Sequence, residues 1–205
     1  MSGTPSTRER LIATAARLFQ ERGYAATGLN DVLAQAGAPK GSLYHHFPDG
    51  KEGLAVAAAL MAGERFLATI HKDAGDSADS ADMLIRFAAR LAGWLEQSGF
   101  RLGCPVATLT LEQAAVSQNL ATTFSAVFSS WQDALAQRLQ ADGVGAARSQ
   151  ALAQLALGAI EGSLILARAQ RSTAPLTQTA ETLAGIFASE AGARACTHKG
   201  FGRDA

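Results

Sequence analysis

Five donor side chains fall within seven positions, Lys40, Ser42, Tyr44, His45 and His46 in KGSLYHH, and Lys51 follows shortly after. Ammonium, hydroxyl, phenol and imidazole groups share one capacity: they hand protons to oxygen or nitrogen acceptors. Nucleic acid presents such acceptors in rows. Cations and hydroxyls suit phosphate oxygens, and imidazoles also suit the N7 and O6 acceptors on base edges. At the start of a helix, Lys40 and Ser42 reach base edges or flanking phosphates. Tyr44, beside Leu43 and Phe47, either joins them or packs. His45 and His46 do not make a metal site, because adjacent helical residues diverge by about a quarter turn and no third ligand lies near. Nothing in the chain reads as a catalytic triad, a metal cluster or a phosphate loop, so the expectation is no enzyme, no cofactor and no metal.

Such side chains need a scaffold, and Thr27 to Gly53 supplies one. Thr27 or Gly28 caps a helix whose first turn holds Asp31 and whose apolar stripe is Leu29, Val32, Leu33 and Ala36. Gly37 stops it, Pro39 begins the next, and Lys40 to Phe47 turns Leu43 and Phe47 inward while its polar residues stay available. Two short helices about a tight turn, the second polar on its outer face, form the helix-turn-helix unit that lays its second helix in the DNA major groove. After the turn at Pro48-Asp49-Gly50, Lys51 stands at a helix start, where free amides and an ammonium suit a phosphate.

The segment AQAGAPKGSLYHHFPDGKEGL closely resembles the DNA-binding signature of TetR-type transcriptional regulators, and FPDGKE with the later GCPVATLTLE resembles the LmrA/YxaF branch of that family. The resemblance runs roughly from Ser6 to Phe187. It implies a homodimeric repressor released from an inverted-repeat operator in double-stranded DNA by a small hydrophobic effector. Regulators of this type often carry a hydroxyl where this chain has Gly28, so the contact made there falls to Thr27 or is absent; Thr27 and Lys51 are the expected phosphate holders.

In chain order, Ser6-Thr7-Arg8-Glu9 reads as a capping box, opening a helix to Arg22 with Leu11, Ile12, Ala15, Leu18 and Phe19 on one face. Arg8 either reaches a phosphate or is a solvated surface arginine. A long helix from Gly50 carries Leu54, Val56, Leu60, Met61, Phe66 and Ile70 and links the reading unit to the rest. Lys72 to Asp82 reads as a loop or boundary, with Ser80 or Asp82 capping the helix that ends at Gln97. Further helices begin at Pro105 and span Gln118 to Gln140, Ala146 to Arg171 and Thr177 to Ser189. No stretch alternates with period two, so the fold class is all-α. The expected domains are a helix-turn-helix domain over 1–50, an effector-binding and dimerisation domain over 51–192, and a disordered tail over 193–205.

Phe87, Leu91, Trp94, Cys104, Phe124, Phe128 and Trp131 concentrate aromatic and soft side chains on the central helices. They line an apolar effector pocket or form a packed core. Gly158 and Gly162, four apart, allow close helix approach; with Glu161, Ile165, Leu183, Ile186 and Phe187 they mark a four-helix dimer interface, against the alternative that both helices complete a monomer core. A two-fold dimer is what reading two half-sites about 34 Å apart requires.

The chain has 205 residues, 48% apolar, enough for a core, and a formal net charge of zero. Up to Gly53 six basic residues face five acidic ones, so DNA affinity is expected to be modest and sensitive to salt. MSGTPSTRER lacks the apolar core of a signal peptide, and Cys104 and Cys196 form no framework, which points to the cytoplasm and to no membrane partner. The competing reading is an all-helical ligand-binding or dimerisation protein without sequence-specific DNA binding.

Overall fold

The computed structural model describes residues 5–197, and every regular element among them is helical, in agreement with the all-α expectation. They run α1 Thr7–Arg22, α2 Leu29–Ala36, α3 Lys40–His46, α4 Gly50–Asp76, α5 Ser80–Gln97, α6 Pro105–Gln113, α7 Gln118–Ala141, α8 Ala146–Gln170 and α9 Ala174–Thr197. The helices divide into two compact units. The first is Met1–Phe66 with Arg101–Phe128, and the second is Leu67–Phe100 with Ser129–Ala205. The first therefore extends past Gly50 and takes in α6 and the start of α7, a grouping that spacing along the chain did not reveal.

In the first unit, local chemistry sets the element ends. The capping box forms as read: Ser6 Oγ accepts the Glu9 N–H at 3.2 Å, and Glu9 Oε2 accepts the Ser6 N–H at 2.7 Å. Leu11, Ile12, Ala15, Leu18 and Phe19 are all buried, the face that helical spacing selects. Gly37, left-handed at φ 59°, ends α2, and Arg10 Nε ties that end to α1 by donating to the Ala36 carbonyl at 3.0 Å. Gly28 caps α2 in extended conformation without any side-chain bond.

In the second unit two expectations need correction. The segment from Lys72 holds a helix boundary but is not a loop from its start: α4 continues to Asp76, where Asp73 is buried and paired with Arg90 on α5. Only residues 77–79 interrupt the helices, and the cap of α5 is Asp79, whose Oδ1 accepts the Asp82 N–H at 2.8 Å, while Asp82 Oδ2 accepts the Ala78 N–H at 3.1 Å. At the other end Pro175 sits inside the first turn of α9 and does not precede the helix. The helix then runs to Thr197, through the first part of the expected tail; residues 198–205 lie outside the described residues. α9 packs on α5 and α8. Both α4 and α8 are long and apolar enough to cross a bilayer by length and composition alone, a test that the core helices of a soluble bundle also pass.

Candidate nucleic-acid interface

The expected recognition surface is built on α3. Leu43 within it and Phe47 at its end are buried, fixing one side of this short helix to the unit. What remains faces outward: Lys40 and His45 are exposed, His46 is half-buried with its ring 4.9 Å from that of His45, and Tyr44 is 63% exposed. Tyr44 therefore does not pack into the core beside Leu43. Ser42 is half-buried and its hydroxyl donates to the Pro39 carbonyl at 2.7 Å, so while that bond stands it can only accept, from a base amino group, and has no proton for a phosphate.

Two expected contacts look different in three dimensions. Thr27 is buried, and its hydroxyl donates to the Gly23 carbonyl at 2.8 Å. A phosphate accepts and does not donate, so this hydroxyl has no proton left for it. Arg8 lies with its guanidinium 5.5 Å from the centre of the Phe47 ring, covering the end of the recognition helix.

Lys51, in the first turn of α4, holds its ammonium 4.4 Å from the centre of the Tyr24 ring. Burial pushes its pKa below the ordinary lysine value, and the nearby Glu112 carboxylate pulls it back up. The Tyr24 phenol is raised, first by burial and then by Glu52. Glu52 Oε1 also accepts from Ser117 Oγ at 3.0 Å and Asn119 Nδ2 at 3.1 Å, tying the start of α4 to the start of α7 and the residue before it. Glu112, near the end of α6, accepts the backbone N–H of Tyr24 at 3.0 Å and of Ala25 at 2.9 Å. Sequence reasoning missed both carboxylates. Glu112 lies 88 positions from Tyr24, and no local pattern announces a pairing at that range.

The sets assigned to effector and partner lie elsewhere. Phe87, Leu91 and Trp131 of the second unit are buried, whereas Trp94 of the same unit is exposed. Cys104 and Phe124 of the first unit are buried and Phe128 is half-buried. A separate open pocket of about 320 Å³ in the second unit is lined by Asp73, Asp76, Arg86, Ala89 and Arg90, a charged set that shares no residue with the aromatic one. On α8, Gly158 and Gly162 face open space, Ile165 is 59% exposed, Leu155 and Leu166 are also exposed, and Glu161 is half-buried. On α9, Leu183 and Phe187 are only 4% and 0% exposed. They are core residues of a single chain and offer no surface to a second copy; Ile186 is half-buried.

Residues 11–58 match the family model of bacterial regulatory proteins of the tetR family, and residues 80–182 match that of the transcriptional regulator LmrA/YxaF-like C-terminal domain. The chain is 36% identical to the HTH-type transcriptional regulator YxaF of Bacillus subtilis over 183 residues, 89% of this chain and 96% of that protein. It is 31% identical to the HTH-type transcriptional regulator LmrA of the same organism over 170 residues, covering 83% and 90% respectively. The crystal structure of a TetR transcriptional regulator from Legionella pneumophila superposes with a TM-score of 0.80 at 21% identity, over 90% of this chain and 99% of that one.

Proposed function

The chain belongs to the TetR family of bacterial transcriptional regulators, and on that premise we propose that it is a homodimeric repressor, released from an inverted-repeat operator by a small hydrophobic effector. The observation that carries the DNA side is α3: apolar Leu43 and Phe47 turn inward while Lys40, Tyr44 and His45 stand clear of the protein. Side chains so placed on a second helix enter the major groove, with Lys51 at the start of α4 gripping a phosphate.

Dimerisation is supported by α8. Leu155, Gly158, Gly162, Ile165 and Leu166 leave apolar side chains and bare backbone exposed over several turns of one helix. A second copy would cover that area and place two recognition helices on one face of the duplex. Within the second unit Phe87, Leu91 and Trp131 supply apolar surface of the kind a hydrophobic effector would contact. The protein acts by binding, without a catalytic step, in the cytoplasm where its operator lies.

Selection of bound sequences from a random DNA pool by the purified protein, repeated with a panel of apolar compounds, tests this directly. An enriched inverted repeat with half-sites about one helical turn apart, lost on adding a compound, is the expected result. No enrichment even at low salt would overturn the DNA reading in favour of a helical ligand-binding protein. An enriched site that no compound releases would overturn the effector.

A further inference from the structure

The turn between α1 and α2 is held from two sides. From within, the Thr27 hydroxyl donates to the Gly23 carbonyl and the Thr27 N–H to the Tyr24 carbonyl at 3.2 Å. From α6, one Glu112 oxygen takes the Tyr24 N–H and the other takes the Ala25 N–H. Two adjacent backbone donors that point the same way are matched by a carboxylate, whose two oxygens carry charge and need no proton of their own. Gly23 beside this contact sits at φ +83°, a conformation that favours glycine, and a Cβ there would stand 2.1 Å from Glu112 Oε1, which would have to swing aside.

α6 is fastened at its other end as well, where Gln20 Nε2 donates to the Gly103 carbonyl just ahead of the helix. Thus α6 touches the reading unit through a side chain of α1 at one end and through the Tyr24-Ala25 amides at the other. α2 begins at Leu29, four residues beyond Ala25, and packs on α3. A displacement of Glu112 is therefore passed by a short, hydrogen-bonded turn to the helix that supports the recognition helix.

We propose that Glu112 is a positioning residue for DNA reading, setting the angle of α2 and α3 from α6; this rests on the assignment of α3 as the recognition helix. It makes no contact with DNA itself. It acts on α2 and α3 through two main-chain hydrogen bonds, so its loss should damage operator recognition far more than sequence-independent phosphate binding, which its charge near Lys51 only modulates.

The test compares the full-length protein with Glu112→Gln, which keeps the shape but turns an NH2 toward one of two N–H donors, and with Glu112→Ala. Operator affinity should fall by about tenfold, the scale of losing one charge-assisted hydrogen bond. Binding to random-sequence DNA should change much less than operator binding, by no more than the loss of one negative charge near Lys51 brings, and amide hydrogen exchange should accelerate at Tyr24, Ala25 and through α2 and α3. Wild-type operator affinity in both variants would overturn the proposal, as would an equal loss on operator and random DNA accompanied by a lower unfolding temperature. If neither variant nor wild type binds any DNA, the functional assignment fails. The exchange measurement then still decides whether Glu112 positions the reading helices, since unchanged exchange in α2 and α3 would refute it.

Discussion

The carboxylate of Asp73, 1% exposed in the last turns of α4, accepts Arg90 Nε of α5 at 3.1 Å and a second donor from the same guanidinium. The partners are unequally placed: Asp73 is enclosed, while the Arg90 side chain is 37% exposed and its pKa is raised, chiefly by the hydrogen bond to Asp73. Removing the exposed partner strands the buried one, whereas removing the buried one leaves a cation that can turn to water.

Arg90→Ala should accordingly cost about 3 kcal/mol and Asp73→Ala only about 1 kcal/mol. Urea denaturation of the two variants and of the double variant checks this. The double variant should be more stable than Arg90→Ala alone, and equal costs for the two single changes would contradict the asymmetry.

Lys51 and His45 should separate by the kind of DNA they affect. Lys51→Ala should weaken binding to every sequence alike and reduce the slope of log affinity against log salt by about 1, as loss of one phosphate contact does. His45→Ala, removing an exposed side chain of α3, should change the preferred base at one position of each half-site. Titrations against the selected operator and its single-base variants distinguish the two, and a uniform loss for His45→Ala would remove it from the base readers.

Gly158 and Gly162 have open space where a Cβ would stand, so alanine meets no obstacle inside the chain. Each change should add up to about 1 kcal/mol to the stability of α8 through helix propensity. If a second copy packs there, the added methyl groups hold the two helices apart. Sedimentation of Gly158→Ala and Gly162→Ala should then show dimers dissociating at higher concentration than wild type, with unfolding of the chain unimpaired; unchanged association would move the interface elsewhere.

The capping box gives a pH signature. The Glu9 pKa is lowered, first by the bond from the Ser6 backbone N–H and then by the Ser6 hydroxyl contact. A carboxylate lowered in the folded state stabilises above its unfolded pKa, and this contribution disappears as pH falls through the folded value. Glu9→Gln should thus melt below wild type at neutral pH, and the two should converge below the ordinary carboxylate range. Ser6→Ala should cost about 1 kcal/mol at neutral pH. A gap between wild type and Glu9→Gln that persists in acid would show that the charge is not involved.

What the sequence determined by itself was chiefly local. The box at Ser6 and Glu9, the stop at Gly37, the spans of α1, α2, α7 and α8, and the outward donors of α3 all depend on residues within about four positions of one another. The family could also be read, because its signature is a contiguous run from Ala34 to Leu54. Contacts between distant residues were settled only by the tertiary structure. Asp73 reads as a loop acid until Arg90 encloses it, Thr27 as a free hydroxyl until Gly23 takes its proton, and Leu183 and Phe187 as an open face until α9 packs on α5 and α8. Glu112 is the sharpest case: its partners are main-chain amides, which every residue carries, so side-chain types could not single them out. Periodicity selects the apolar face of a helix, but which neighbour covers that face is set by packing across the whole chain.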